Sequence, residues 1–232
     1  MKAKRAAAHA LLLAACAAAP VLAQESPLGI SVGLKAWSTQ WTTWGYADVV
    51  GGGRVITEAL TNDKTVLVPM LSVRWRDFIG SVSAIGSTTY SYPDGDTVSR
   101  KEHDVNLGYF IAPGVAATLG YKSLAQWAGP NNFKLAGPTV GLSANAPLSG
   151  AFSLYGALGL GRMKPKGNVD LDADYQLSEV GAAYNVAMGG IPKSLTFTVG
   201  YRTQVLKSKE ALPGQDARDL TQGFTFGLVA AF

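Results

Sequence analysis

The sequence predicts an all-β chain forming a single antiparallel up-and-down transmembrane β-barrel of ten strands, with eight as the alternative count. Three observations lead there. Period-two alternation of apolar and small residues recurs along the chain, in segments of roughly 9–11 residues, the length a tilted strand needs to cross a thin bilayer. The face opposite the apolar one is mostly Gly, Ser, Thr, Ala and Asn, without the Lys and Glu that keep a soluble surface wet, so the apolar face belongs outside. The connections alternate between short and long, as in barrels with tight turns at one rim and loops at the other.

Composition agrees. The 232 residues are 47% hydrophobic and only 16% charged, with 27 glycines, and nothing in residues 24–232 reads as a linker, so these form one domain. No apolar run of about 20 residues follows the leader, which excludes a helical span. The formal charge of +4 misleads: of 20 basic residues, Lys2, Lys4 and Arg5 lie in the leader, leaving 17 against 16 acidic ones. With no basic helix or aromatic-basic motif either, nucleic acid is not an expected partner.

Residues 1–23 have a basic start, an Ala/Leu middle and a small-residue end, Val21-Leu22-Ala23, the layout of a secretory signal peptide. Leu13-Ala14-Ala15-Cys16 offers a competing lipoprotein-type site that would lipidate Cys16. Apolar character continues past Cys16, which favours cleavage after Ala23 and leaves a barrel domain of residues 24–232 without cysteine.

Taken in order, the apolar faces are Ile30, Val32, Leu34 and Ala36; then Leu67, Leu71, Val73 and Trp75; then Phe78, Val82 and Ala84 after the Arg76-Asp77 turn. Val105, Leu107, Tyr109 and Ile111 turn at Pro113-Gly114 into Val115, Ala117, Leu119 and Tyr121. Val140, Leu142 and Ala144 precede Phe152, Leu154, Leu158 and Leu160; Val180, Ala182, Tyr184 and Val186 precede Leu195, Phe197, Val199 and Tyr201. Long connections are expected near 42–64, 93–101, 126–137, 162–172 and 207–217. Aromatics at the two rims read as interface anchors: Trp41, Trp44, Tyr46, Tyr90, Tyr92 and Trp127 on the outer side, Trp75, Phe78, Phe152 and Phe232 on the inner.

Residues 220–232 place Phe224, Phe226, Leu228 and the terminal Phe232 on one face of a last strand. That ending, behind a signal peptide, resembles the C-terminal strand of Gram-negative outer-membrane β-barrels. The resemblance implies an integral outer-membrane protein with both termini periplasmic. It further implies that Phe224, Phe226, Leu228 and Phe232 are read by the barrel assembly machinery, after escort by periplasmic chaperones, and that the surroundings are outer-membrane lipid and lipopolysaccharide.

Pairing the strands around Pro113 sets Asp104 opposite Lys122, and pairing around 189–192 sets Glu179 opposite Arg202, so two hairpins each predict a cross-strand ion pair on the inner face. Lys35, Arg74 and Arg76 are further basic residues expected there. A barrel of about ten strands is narrow, so the leading expectation is a structural or surface-interaction barrel with its lumen filled by ion pairs. The alternative is a narrow passive pore, preferring anions because cations outnumber Asp104 and Glu179.

Asp170, Asp172 and Asp174 share a face and read as loop acids, with calcium or magnesium bridging to lipopolysaccharide phosphates as the alternative; they point outward if the parity of Val180 continues, whereas a bulge near Ser178 would turn Leu171, Tyr175 and Leu177 out instead. No metal cluster and no cofactor motif is evident. An enzyme at the rim is a further alternative. Barrels of this size resemble the omptin proteases, but Asp94-Gly95-Asp96 sits in a strong turn sequence and the family's Asp-His pair is missing. His103 opposite Ser123 on the lipid side is a lipid A acyl hydrolase arrangement only if a carboxylate orients the histidine. The chain is expected not to be an enzyme.

Overall fold

The computed structural model describes residues 28–128, 131–166, 172–208 and 218–232. The leader, Cys16, Asp170 and Leu171 lie outside them. Alternation carries the strands as anticipated: β1 (Leu28–Asp48), β2 (Arg54–Leu60), β3 (Lys64–Trp75), β4 (Phe78–Ser91), β5 (Thr97–Ala112), β6 (Val115–Ala128), β7 (Asn131–Ser149), β8 (Phe152–Pro165), β9 (Ala173–Ala187), β10 (Ser194–Ser208) and β11 (Arg218–Ala231). Every neighbour is antiparallel, and β11 pairs back onto β1, closing a barrel of ten strands. Closure removes the open edge at the β1–β11 seam, while the β3–β4 ladder is short, from Met70 opposite Ser83 to Trp75 opposite Phe78.

The eleventh strand was not expected. β2 pairs only with the far half of β1, from Thr42 opposite Leu60 to Asp48 opposite Arg54, making a ribbon that stands clear of the wall. Composition hid it, because Gly51, Gly52 and Gly53 read as a loose loop. All three adopt positive φ and form the ribbon's turn.

The apolar face is outside. Leu67, Val105, Leu107, Leu119, Leu158 and Val180 are each more than half exposed, in a band around the wall. A soluble protein does not present such a surface to water. Aromatics border the band at the rim carrying the short turns, where Phe78 meets Tyr109 at 5.1 Å and Phe152 meets Tyr184 at 4.7 Å between ring centroids. Trp75, Phe152 and Phe232 are exposed there as anchors should be.

The opposite rim departs from expectation. Trp41 and Tyr90 are 2% and 3% exposed, so they are not interface anchors. They pack inside the barrel with Trp37, Val66, Val68 and Val98. A second apolar cluster, Leu124, Leu135, Met163, Tyr175 and Leu206, occupies the lumen on the β6–β10 side. Beyond the hydrocarbon band the wall is wet outside, so the stripe that must be buried turns inward. Near the short turns the inner face carries Ser31, Ser72, Ser81, Ser143 and Ser153, all partly accessible. The lumen is therefore a polar cup at one end and a packed plug at the other.

No bulge interrupts β9 near Ser178; the ladder irregularities lie at 85–88, 110–112 and 147–149. Tyr175 consequently points inward and is buried, while Asp172 and Asp174 keep the outward parity of Val180.

Candidate functional site

The inner face between cup and plug is charged. Asp104 on β5 lies opposite Lys122 on β6, and Lys122 Nζ donates to the Asp104 carboxylate at 2.9 Å. Glu179 on β9 lies opposite Arg202 on β10, with Nη1 3.8 Å from Oε2. Lys35, reaching across from β1, pairs with Glu179 Oε1, to which Tyr155 Oη also donates at 3.2 Å. Arg202 lies 4.8 Å over the Trp37 ring, a cation–π contact that seats the guanidinium on the apolar plug.

The densest node is one the sequence reading passed over. Glu102 accepts from Arg100 Nε at 2.6 Å, Lys122 Nζ at 2.6 Å and Gln204 Nε2 at 3.0 Å. Arg100 Nη1 donates onward to Thr221 Oγ1 at 2.9 Å. These contacts run from β5 and β6 to β10 and β11, so side chains on different sides of the wall are joined through the lumen. A second missed acid, Asp219, accepts from Thr43 and, at 3.0 Å, from Gln126 Nε2. Arg100 was missed because it falls in the expected loop over 93–101, and Glu102 because Arg100-Lys101-Glu102-His103 is charged on both faces and gives no alternation to follow. The available signal was the continued parity of Val98, Arg100, Glu102 and Asp104, which puts every second residue inside.

The two remaining basic candidates differ from each other. Arg74 does face inward, stacked 4.3 Å from the Phe110 ring with Nε donating to the Arg76 carbonyl at 3.1 Å. Arg76 is not a lumen residue: it occupies the turn itself at φ 54°, exposed, with its guanidinium 5.0 Å over the Trp75 ring. A two-residue turn demands a left-handed φ, and that rotates the side chain out of strand parity. With Arg100 added and Arg76 removed, the buried and half-buried charges of the described inner face are Lys35, Arg74, Arg100, Lys122 and Arg202 against Glu102, Asp104, Glu179 and Asp219, while Lys64, opposite Thr39, shares their parity but is exposed at the rim. The basic excess behind an anion preference is nearly gone.

No family model matches the sequence, and no curated protein matches it. By structure the chain is similar to the outer membrane protease OmpT from Escherichia coli, at 13% identity over 90% of this chain and 99% of that one, with a TM-score of 0.53. It is also similar to the outer membrane protein AlkL in lipid bilayers, at 10% identity over 93% and 94% of the two chains, with a TM-score of 0.42. The fold is that of the outer-membrane β-barrels.

Within that barrel fold the remaining candidates sit on the outer surface. Phe224, Phe226, Leu228 and Phe232 are all exposed on one face of β11 and its end. Asp94 and Asp96 shape the turn after β4, where Asp94 Oδ1 accepts from the Asp96 N–H at 3.1 Å and Gly95 takes φ 96°. His103 faces Ser123 across β5 and β6 on the outward side. Asp172 is held by Lys164 and Arg162, and among the described residues no group of His, Cys, Asp and Glu is arranged to hold a metal ion.

Proposed function

We propose that the chain is an integral outer-membrane protein of structural or surface-interaction type, with a lumen closed to solutes. The short-turn rim, with Leu28 and Phe232, faces the periplasm in this reading, and the long loops and the β1–β2 ribbon face outward. One observation carries the closure: Glu102, 1% exposed, ties Arg100, Lys122 and Gln204 together across the lumen, and the two apolar clusters pack toward the same end. Breaking such a knot leaves charge stranded in a dry interior, so it stays shut. The near balance of lumen charges supports this reading over an anion-preferring pore.

The reading is non-enzymatic. A likeness of 13% identity supports the fold alone, so the proteolysis in OmpT's name is not transferred. Lipid and lipopolysaccharide are the surroundings that suit the exposed apolar band, and the barrel assembly machinery is the partner that suits the face presented by Phe224, Phe226, Leu228 and Phe232. Planar-bilayer recordings of the refolded barrel test the closure. A steady baseline without discrete steps is expected; reproducible unitary steps would overturn it.

A further inference from the structure

The outer wall carries a groove of about 420 Å³ where β7, β8 and β9 approach the long-loop rim. Its apolar part is Pro138, Val140 and Leu160; Arg162, Asp174 and Gln176 complete it. The backbone explains why it exists. The β7–β8 ladder pairs Ala136 with Lys164 and Thr139 with Gly161, with Pro138 in the interval, where it has no N–H to give.

The charge beside this groove is arranged for an anion. Arg162 and Lys164 project outward from β8, 62% and 56% exposed, and both reach the same Asp172 oxygen, Arg162 at 3.6 Å. Two more exposed lysines stand next to them: Lys166, whose N–H bonds the Lys134 carbonyl at 2.6 Å, and Lys134 itself. Four cations against Asp172 and Asp174 leave the patch net positive, at a height where the wall passes from the apolar band to the wet rim. A free anion would use the charge but not the groove, and an ordinary acyl chain would use the groove but not the charge. A lipid with phosphate on its headgroup uses both.

We propose that this groove seats a phosphorylated glycolipid of the outer leaflet. One acyl chain lies along Pro138, Val140 and Leu160, and a phosphate is held between Arg162 and Lys164 in competition with Asp172. The inference rests on the reading that the long-loop rim faces outward.

Native mass spectrometry of the refolded barrel, titrated with bisphosphorylated lipid A, its dephosphorylated form or phosphatidylglycerol, tests it. Bisphosphorylated lipid A should be retained, and the other two should bind about tenfold more weakly or worse. Arg162→Gln with Lys164→Gln should lose a similar factor toward the phosphorylated lipid while keeping the barrel's heat-modifiable mobility. Val140→Trp, which fills the groove without touching charge, should weaken all acylated ligands together. Equal retention by the Gln double variant and the parent, or of phosphatidylglycerol and lipid A, overturns the site. A parent chain that stays out of liposomes overturns the membrane reading instead, so the two failures are told apart.

Discussion

Lys122 Nζ and Glu102 Oε2 stand 2.6 Å apart inside the barrel wall, 20 residues apart in sequence, and neither side chain is more than 1% exposed. Each charge is compensated there by the other, with Arg100 also on Glu102 and Asp104 also on Lys122. Glu102→Gln keeps the shape but strands the Arg100 and Lys122 charges, with Asp104 left to hold Lys122 alone. The expected cost is about 3–5 kcal/mol, read as a lowered urea midpoint in detergent or lipid. An unchanged midpoint would mean that the network is not formed in solution.

If the mid-lumen charges close the barrel together with the apolar plug, clearing them should open it. Replacing Lys35, Glu179 and Arg202 with Ser removes the layer that joins β1, β9 and β10. Discrete conductance steps, absent from the parent, are expected in planar bilayers. A silent triple variant would assign closure to the Glu102 knot and the two apolar clusters.

Leu119 is 66% exposed on the outward face of β6, and Thr118 beside it faces in. Leu119→Arg should cost about 2–4 kcal/mol of stability in lipid vesicles, because it sets a cation in hydrocarbon. Thr118→Ser should cost far less. Equal effects would place the apolar band away from lipid.

Asp172 makes a test at the surface. The hydrogen bond from Lys164 outweighs desolvation and, helped by the charges of Lys164 and Arg162, holds its carboxyl below the usual carboxylate range. A depressed folded value means that the contact is in force above the ordinary aspartate pKa and is lost as pH falls through the lowered one. An NMR titration should show that late protonation, and Lys164→Gln should move the midpoint up. A midpoint at the free-aspartate value in the parent would mean that the pair is not held.

At the β1–β11 seam, Gly223 sits at φ 155°, and a Cβ there would fall 1.7 Å from the Ser38 carbonyl oxygen. Gly223→Ala must displace backbone at the seam, at an expected cost of about 1–3 kcal/mol. Loss of the compact, unheated electrophoretic form checks it. Gly150→Ala, at an open turn with nothing near its Cβ though also at positive φ, serves as the control for backbone conformation alone.

How much of this was legible depended on what surrounds each stretch. Within the hydrocarbon band lipid outside and small residues inside give opposite demands, so Leu107 and Leu119 declare their face and Pro113-Gly114 fixes their register. Above the band both sides of the wall are polar or both are mixed, and alternation loses contrast. That is why Arg100 looked like loop and Glu102 went unassigned, and why Trp41 and Tyr90 looked like anchors. Arg76 failed for a different reason: parity is a property of strands, and the residue belongs to a turn. The groove at Pro138 depends on three strands distant in sequence, and no single stretch announces it.

The junction of β1 with β11, where Ser31 faces Ala231, has a temporal consequence. The segment synthesised early must wait, unmated, for the one synthesised late, so the wall acquires its final hydrogen bonds only in a last long-range step. Any agent that shields β1's waiting side, or delivers β11 to it already extended, governs whether the chain matures or clumps.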